Sequence, residues 1–133
     1  MELSNILNPV FSGIITGILL LTVSQAITRT QQTQRCKGLI TFLRLEIINN
    51  YRLLNEYDPN SKQPFFLEDA VWEKVNTEII HTLPFVLTNH LIVHYYFIRN
   101  SFKVLPINLS AAELERQKSR MRFLIKRLQK YLK

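Results

Sequence analysis

The chain has 133 residues, 47% of them hydrophobic, and its 17 Lys and Arg against 10 Asp and Glu give a net charge of +7. With only three glycines and five prolines it lacks the frequent turn residues of a β fold, so the composition favours helices. The single cysteine, Cys36, excludes an internal disulfide and gives no sign of an oxidising compartment.

The first feature in chain order is a segment without charged side chains, Leu3 to Thr28. As a helix its 26 residues would be about 39 Å long, against about 30 Å for the hydrocarbon core of a bilayer. It has no polar face, which a surface helix of a soluble protein would have. It therefore predicts a transmembrane anchor over residues 1–28. Two alternatives stay open, a buried helix and a signal peptide cleaved after Ser24-Gln25-Ala26, although no basic residue precedes the apolar run.

The flanks of this segment predict its orientation. Arg29, Arg35 and Lys37 follow it, whereas the only charge before it is that of Glu2. Loops with an excess of Lys and Arg stay on the cytoplasmic side. We therefore expect a single-pass protein of the cell (inner) membrane, with its N-terminus outside and residues 29–133 in the cytoplasm.

Gly13 and Gly17 form a GxxxG pattern within the apolar segment. Without side chains at these two positions, two helix backbones can approach closely and pack by van der Waals contact. The pair predicts a site of self-association, and the alternative is that both glycines simply face lipid or another part of the protein.

Residues 29–133 are predicted to fold as a compact bundle of about four helices, so that the fold class is all-α. The polar stretch 28–34 contains no Pro or Gly and is expected to continue the first helix. Apolar residues at helical spacing extend it to about Tyr57, before the turn sequence Asp58-Pro59-Asn60-Ser61. A second helix is expected to begin near Leu67 or Glu68, and Thr82 is expected to cap the third.

The third segment, residues 85–104, is strongly apolar and aromatic and is predicted to be the central buried helix. Its length also permits a second or re-entrant span. Charged and titratable side chains within it, which are costly in the middle of a bilayer, argue against deep immersion: His90, His94, Arg99 and Lys103.

The last segment, residues 110–133, is predicted to be a basic amphipathic helix. Ser110-Ala111-Ala112-Glu113 matches a capping box, and an apolar stripe follows it at helical spacing. We expect the stripe to pack on the bundle and the basic residues to contact anionic lipid or an acidic protein surface. These basic residues are Arg116, Arg120, Arg127 and Lys130.

The sequence offers few candidate residues for metal binding or catalysis. His90 and His94 lie four residues apart, and Glu78-x-x-His81 occurs on the preceding helix, both of which are spacings found in metal sites. A dinuclear site would need a second Glu-x-x-His, which the sequence lacks. There is also no phosphate-binding glycine loop and no nucleophile elbow. The sequence therefore predicts no metal, no cofactor, no catalytic residue and no enzymatic activity.

The order of features resembles a loose group of small bacterial single-span membrane proteins with a cytoplasmic helical bundle. The resemblance lies in Leu43-Arg44-Leu45-Glu46-Ile47-Ile48-Asn49-Asn50, Asp69-Ala70-Val71-Trp72-Glu73 and the stretch from Tyr95 to Asn100. It implies this architecture and no catalytic residue. It also implies that Glu46 and Asn50, one helical turn apart, cap or cross-link helices.

Together these features predict a non-enzymatic, membrane-anchored interaction module that forms homo-oligomers or docks onto a membrane-associated complex. The alternative is a membrane-perturbing or pore-forming effector of the phage-defence or superinfection type. A third hypothesis is nucleic-acid binding by the basic last helix. It is disfavoured because only Phe123 and Tyr131 are available there for base stacking.

Overall fold

A computed structural model describes residues 2–61, 65–102 and 109–133, with side chains for 8–61, 65–100 and 109–133. Within these ranges the backbone forms four α-helices and no β-strand, which confirms the all-α prediction. The helices are α1 (Glu2–Asn55), α2 (Ala70–Thr82), α3 (Phe85–Phe102) and α4 (Ala111–Gln129). The predicted end of the third helix at about Val104, and Lys103 with it, lie outside the described residues.

The chain divides into two compact units, Met1–Arg35 and Cys36–Lys133, and we call the second unit the body. The first unit belongs to α1 alone. Its residues from Asn8 onward are exposed, apart from the half-buried Gly17. Among the described residues, α1 holds the one segment that is long and apolar enough to cross a membrane, with a mean hydropathy of 2.0. By length and composition it is a candidate span.

The helix α1 passes through the polar stretch 28–34 without a break, as predicted. Threonine hydroxyls in and before this stretch donate to the carbonyl oxygen four residues earlier, at 2.8 to 2.9 Å, in Thr22, Thr28, Thr30 and Thr33. These bonds satisfy the hydroxyls within the helix itself. The helix thus tolerates threonine both in the apolar segment and after it.

In the body, α2 runs antiparallel to α1. Its first turn lies beside Glu46 of α1, whose carboxylate accepts a hydrogen bond from Val71 N. Its last residue, Thr82, has its hydroxyl 3.8 Å from Cys36 Sγ, near the start of the body part of α1. The α2–α3 turn therefore lies at the end of the body that contains Cys36, which we call the Cys36 end. The opposite end, where α1 finishes, is the Asn55 end.

The remaining two helices complete an up-down-up-down bundle. The α3 helix returns toward the Asn55 end, and its Arg99 meets Asp69 just before α2. The α4 helix runs back toward the Cys36 end. Arg122 of α4 donates to the Tyr51 hydroxyl at 3.4 Å, and Arg44 Nε donates to the Ile125 carbonyl at 3.1 Å.

One core, to which all four helices contribute, lies inside this bundle. Most of its members lie on apolar stripes with helical spacing along the sequence. Several of these side chains have no surface accessible to solvent. The buried hydrophobic residues are Ile40, Leu43, Ile47, Leu54, Leu67, Trp72, Val75, Ile79, Leu83, Leu87, Leu91, Tyr95, Ile98, Met121, Leu124 and Leu128.

The expectation that α3 is the central buried helix holds for one of its faces only. Leu87, Leu91 and Tyr95 are buried, but Phe85 is 82% exposed and Tyr96 is 69% exposed. On α1, Phe42 is likewise exposed. In a four-helix bundle each helix packs through one face, so apolar residues on the outer face stay uncovered.

The helix ends differ from the predictions in three places and agree in one. The α1 helix ends at Asn55, two residues earlier than expected, and α2 begins at Ala70, two to three residues later. Thr82 is the last residue of α2 and does not cap α3. The N-cap of α4 is confirmed, because Ser110 Oγ accepts a hydrogen bond from Glu113 N at 3.2 Å.

Candidate functional site

The two glycines of the apolar segment leave an open position on α1. Gly13 and Gly17 lie four residues apart and therefore on one face of the helix. A Cβ atom added at either glycine would meet nothing within 4 Å. The helix backbone is thus accessible at this face, which is the geometry that close packing of a second helix requires.

The rest of this segment presents large hydrophobic side chains to its surroundings. Each of the following is between 52% and 66% exposed: Val10, Phe11, Ile14, Ile15, Ile18, Leu19, Leu20, Leu21, Val23 and Ile27. A continuous apolar surface of this kind is rare on a soluble monomer.

The buried carboxylate of Glu46 joins three helices of the body. Its Oε2 accepts from Val71 N at 2.6 Å, and its Oε1 accepts from Trp72 N at 3.3 Å and from the Tyr95 hydroxyl at 2.7 Å. Asp69, at the N-cap position of α2, makes no side-chain capping bond, so Glu46 supplies the acceptor from another helix. Burial and the nearby Glu46 charge raise the pKa of Tyr95 well above its usual value of 10.0.

Asn50, one turn further along α1, holds the segment before α2. Its Nδ2 donates to the Glu68 carbonyl and its Oδ1 accepts from Glu68 N, both at 2.7 Å. The expectation that Glu46 and Asn50 cap and cross-link helices is thereby confirmed. These bonds fix the start of α2 against α1.

Two further contacts bind α3 to α2. The Trp72 and Tyr95 rings stack with their centroids 4.8 Å apart and an interplanar angle of 2°. Arg99 forms ion pairs with Asp69 at 3.2 Å and with Glu73 at 2.8 Å. The ring stacking and the two ion pairs therefore hold α3 against α2 and the residue before it.

The structure does not bring the four metal candidates together. His94 is fully buried on α3, whereas Glu78 and His81 are exposed on α2. His90 packs on the Phe123 ring of α4, with the centroids 4.7 Å apart. Within the described residues, no group of three or more His, Cys, Asp or Glu side chains is arranged to hold a metal ion.

His94 is the most unusual titratable group in the body. Among the described residues, neither Nδ1 nor Nε2 has a hydrogen-bond partner. Burial, with a smaller contribution from the positive charge of Arg120, lowers its pKa from 6.5 to about 3. The imidazole is therefore neutral at physiological pH and fills core volume between α3 and α4.

The four basic residues predicted to contact lipid or a partner divide into two pairs. Arg116 is bound to Glu113 at 3.0 Å, and the half-buried Arg120 donates to Gln117 Oε1 at 3.3 Å. Arg127 and Lys130 instead line a surface depression of about 220 Å³. Arg116 is thus exposed beside a carboxylate partner, whereas no ion pair of Arg127 or Lys130 is found among the described residues.

The other two residues that line this depression, Phe123 and Lys126, were not among the predicted lipid or partner contacts, although Phe123 was named for base stacking. The Arg127 guanidinium lies 5.3 Å from the centroid of the Phe123 ring, within range of a cation–π interaction. The signal was present in the sequence, because residues 123, 126, 127 and 130 follow helical spacing and share one side of α4.

Comparisons of the chain with protein-family models, with curated proteins and with solved structures find no match. The observations that bear on function are therefore the uncovered apolar segment of α1 and the surface of the body.

Proposed function

We propose that this protein is a non-enzymatic, membrane-anchored interaction module. In this proposal the apolar segment of α1 spans the cell membrane, the body lies in the cytoplasm, and the module self-associates or docks onto a membrane-associated complex. The supporting observation is an uncharged helical surface, exposed along its length, on the helix that also supplies part of the core of the body.

The energetics favour lipid as the environment of this segment. Transfer of apolar surface out of water contributes about 25 cal/mol per Å², and ten large hydrophobic residues are uncovered in the segment. Backbone groups inside a bilayer must bond within the segment, which the α1 helix provides except at Pro9, whose nitrogen has no hydrogen to donate. The hydroxyl of Thr22 is also satisfied internally, by the Ile18 carbonyl at 2.8 Å.

The anchoring is tested by extraction and by C-terminal reporters. We expect the full chain to stay in the membrane pellet after alkaline carbonate treatment. A fluorescent protein fused after Lys133 should be bright, and alkaline phosphatase fused there should be inactive, because the C-terminus is cytoplasmic. A soluble product that begins after Ala26 would identify a cleaved signal peptide and contradict the anchor.

Self-association through the span is the second part of the proposal. Gly13 and Gly17 offer an accessible backbone, so a larger residue at either position would hold two helices apart. In lipid, we expect energy transfer between labelled copies to fall at least threefold in Gly13→Leu/Gly17→Leu. Ala26→Leu, an equivalent enlargement elsewhere on α1, should leave the signal unchanged. Equal signals in all three proteins would contradict this role for the glycines.

A further inference from the structure

The Cys36 end of the body is the end at which the chain arrives from the apolar segment. Only eight positions separate Thr28, the last residue of the uncharged run, from Cys36. The contact between Cys36 Sγ and the Thr82 hydroxyl, at 3.8 Å, places the α2–α3 turn beside this point. The surface of that turn therefore determines what this end of the body can contact.

The α2–α3 turn carries hydrophobic side chains that are exposed to solvent. Phe85, at 82%, has the highest exposure of the large hydrophobic side chains described in the body, and its neighbour Val86 is 64% exposed. Residues 79–98 contain no Asp, Glu, Lys or Arg. No fixed charge therefore opposes immersion of the turn in an apolar medium.

The register between α3 and α4 brings basic residues to the same level. The ring of His90 packs on that of Phe123, and the two helices run antiparallel. One turn from this contact toward the Cys36 end, Val86 is level with Arg127. The apolar turn and the basic end of α4 thus lie side by side.

The basic side chains at this level have no carboxylate partner in the described residues. The ion pairs found there use Arg99, Arg116 and Lys118, and none of them uses Lys126, Arg127 or Lys130. Together with Phe123, the last three line the depression of about 220 Å³.

Charge is separated along the bundle. Most carboxylates of the described body lie at or near the Asn55 end, in the turn after α1 and at the N-terminal ends of α2 and α4: Glu56, Asp58, Glu68, Asp69, Glu73, Glu113 and Glu115. At the Cys36 end, the C-terminal part of α4 contributes Lys126, Arg127, Lys130 and Lys133. Glu78, near the C-terminal end of α2, lies at the Cys36 end, and Arg52, Arg99, Arg116 and Lys118 offset part of the negative charge at the Asn55 end. The Cys36 end is still the more positive of the two, so an anionic surface would favour its approach.

We propose that the Cys36 end docks onto the anionic headgroup surface of the membrane that anchors α1. Phe85 and Val86 enter the interface, while Lys126, Arg127 and Lys130 bind lipid phosphates. The inference rests on the proposed membrane anchoring, which holds the body close to that surface and raises the effective concentration of lipid. Exposed apolar residues flanked by cations are the chemistry that binds an anionic bilayer interface.

The test places a fluorescent reporter next to the turn in the full chain. Asn89 is exposed one helical turn after Phe85, so Asn89→Cys in a Cys36→Ser background leaves both hydrophobic residues intact. The thiol is labelled with the polarity-sensitive dye NBD, and the protein is reconstituted into phosphatidylcholine vesicles with or without phosphatidylglycerol. Ala112→Cys in the same background reports on the Asn55 end as the matched control.

We expect lipids carrying a nitroxide near the headgroup to quench the dye at position 89 at least twofold more than the dye at position 112. The difference should be larger with phosphatidylglycerol and should shrink in high salt. Equal quenching at the two positions in anionic vesicles would overturn the proposal.

Substitutions then separate the two parts of the surface. Lys126→Gln/Arg127→Gln/Lys130→Gln should remove the effect of phosphatidylglycerol, and Phe85→Ser/Val86→Ser should lower quenching in both kinds of vesicle. Arg52→Gln/Lys74→Gln/Arg116→Gln removes the same charge elsewhere and should keep the wild-type result. The same loss in both charge triples would contradict a specific role for the Cys36 end.

Failure of this inference is distinguishable from failure of the anchor. Release of the protein by carbonate would contradict the proposed function itself. Retention in the pellet without quenching at position 89 would overturn the docking inference alone. Shielding of position 89 in native membranes but not in lipid vesicles would identify a protein as the occupant, and that outcome also overturns it.

Discussion

The Tyr95 hydroxyl of α3 donates a hydrogen bond of 2.7 Å to Glu46 Oε1 of α1, in the interior of the body. The other oxygen of the same carboxylate accepts from the first turn of α2. One side chain therefore fixes the mutual positions of three helices. A buried carboxylate offsets its desolvation only through such bonds, so each donor matters to stability.

Glu46→Gln should lower the free energy of unfolding by about 3 kcal/mol, because the amide group turns a donor toward backbone N–H or toward Tyr95. Urea denaturation of the full chain in mild detergent, followed by circular dichroism, measures the change. Glu56→Gln, at an exposed position in the turn after α1, is the matched control and should change stability little. Equal stability of both variants would show that the carboxylate is dispensable.

Asn50→Ala removes both part-buried hydrogen bonds to the Glu68 backbone and leaves the Glu68 N–H and carbonyl without this partner. We expect a loss of about 2 kcal/mol in unfolding free energy. The Glu68 amide should also exchange its hydrogen at least tenfold faster. Asn49→Ala, which removes only an acceptor of the exposed Arg52, serves as the control. Unchanged exchange at Glu68 in Asn50→Ala would contradict the assigned role.

The buried His94 should make the body sensitive to acid. Its pKa in the folded protein is lowered to about 3, below the usual 6.5 of the unfolded chain, so protonation favours unfolding. The stabilisation is complete above pH 6.5 and is lost as the pH falls toward the folded pKa. By linkage it decreases by about 2 kcal/mol between pH 7.5 and pH 5.

His94→Phe should flatten this part of the pH profile of stability. His81→Gln, at an exposed position of α2, is the matched control and should leave the profile unchanged. Unfolding free energies of the three proteins at several pH values make the comparison. A wild-type profile in His94→Phe would show that acid acts through another group.

Ser110→Ala should destabilise the body by about 1 kcal/mol, the usual cost of losing an N-cap acceptor. The missing bond is that from Glu113 N to Ser110 Oγ. Ser119→Ala replaces an exposed serine inside the same helix and should have a smaller effect, of either sign. Thermal or urea unfolding measures the loss of stability in each variant. A larger loss of stability in Ser119→Ala than in Ser110→Ala would contradict the capping role.

Local features of the chain were predicted well because their causes are local. The unbroken continuation of α1 through residues 28–34 follows from the absence of Pro and Gly, and the cap at Ser110 follows from a pattern four residues long. The start of α2 was misplaced for a different reason. Its first N–H groups are satisfied by Glu46, 25 residues earlier in the chain. No nearby residue pattern contains that information.

By itself, the sequence determined the helical class, the apolar segment before Arg29 and the concentration of positive charge after Ser110, because composition and periodicity express these directly. Only the tertiary structure decided which of the apolar and basic residues are covered. It buried Tyr95 against a residue 49 positions away, left Phe85 exposed, and placed Val86 of the uncovered turn level with Arg127. Helical spacing assigns a residue to a face, whereas the packing of the other helices determines whether that face meets protein or solvent.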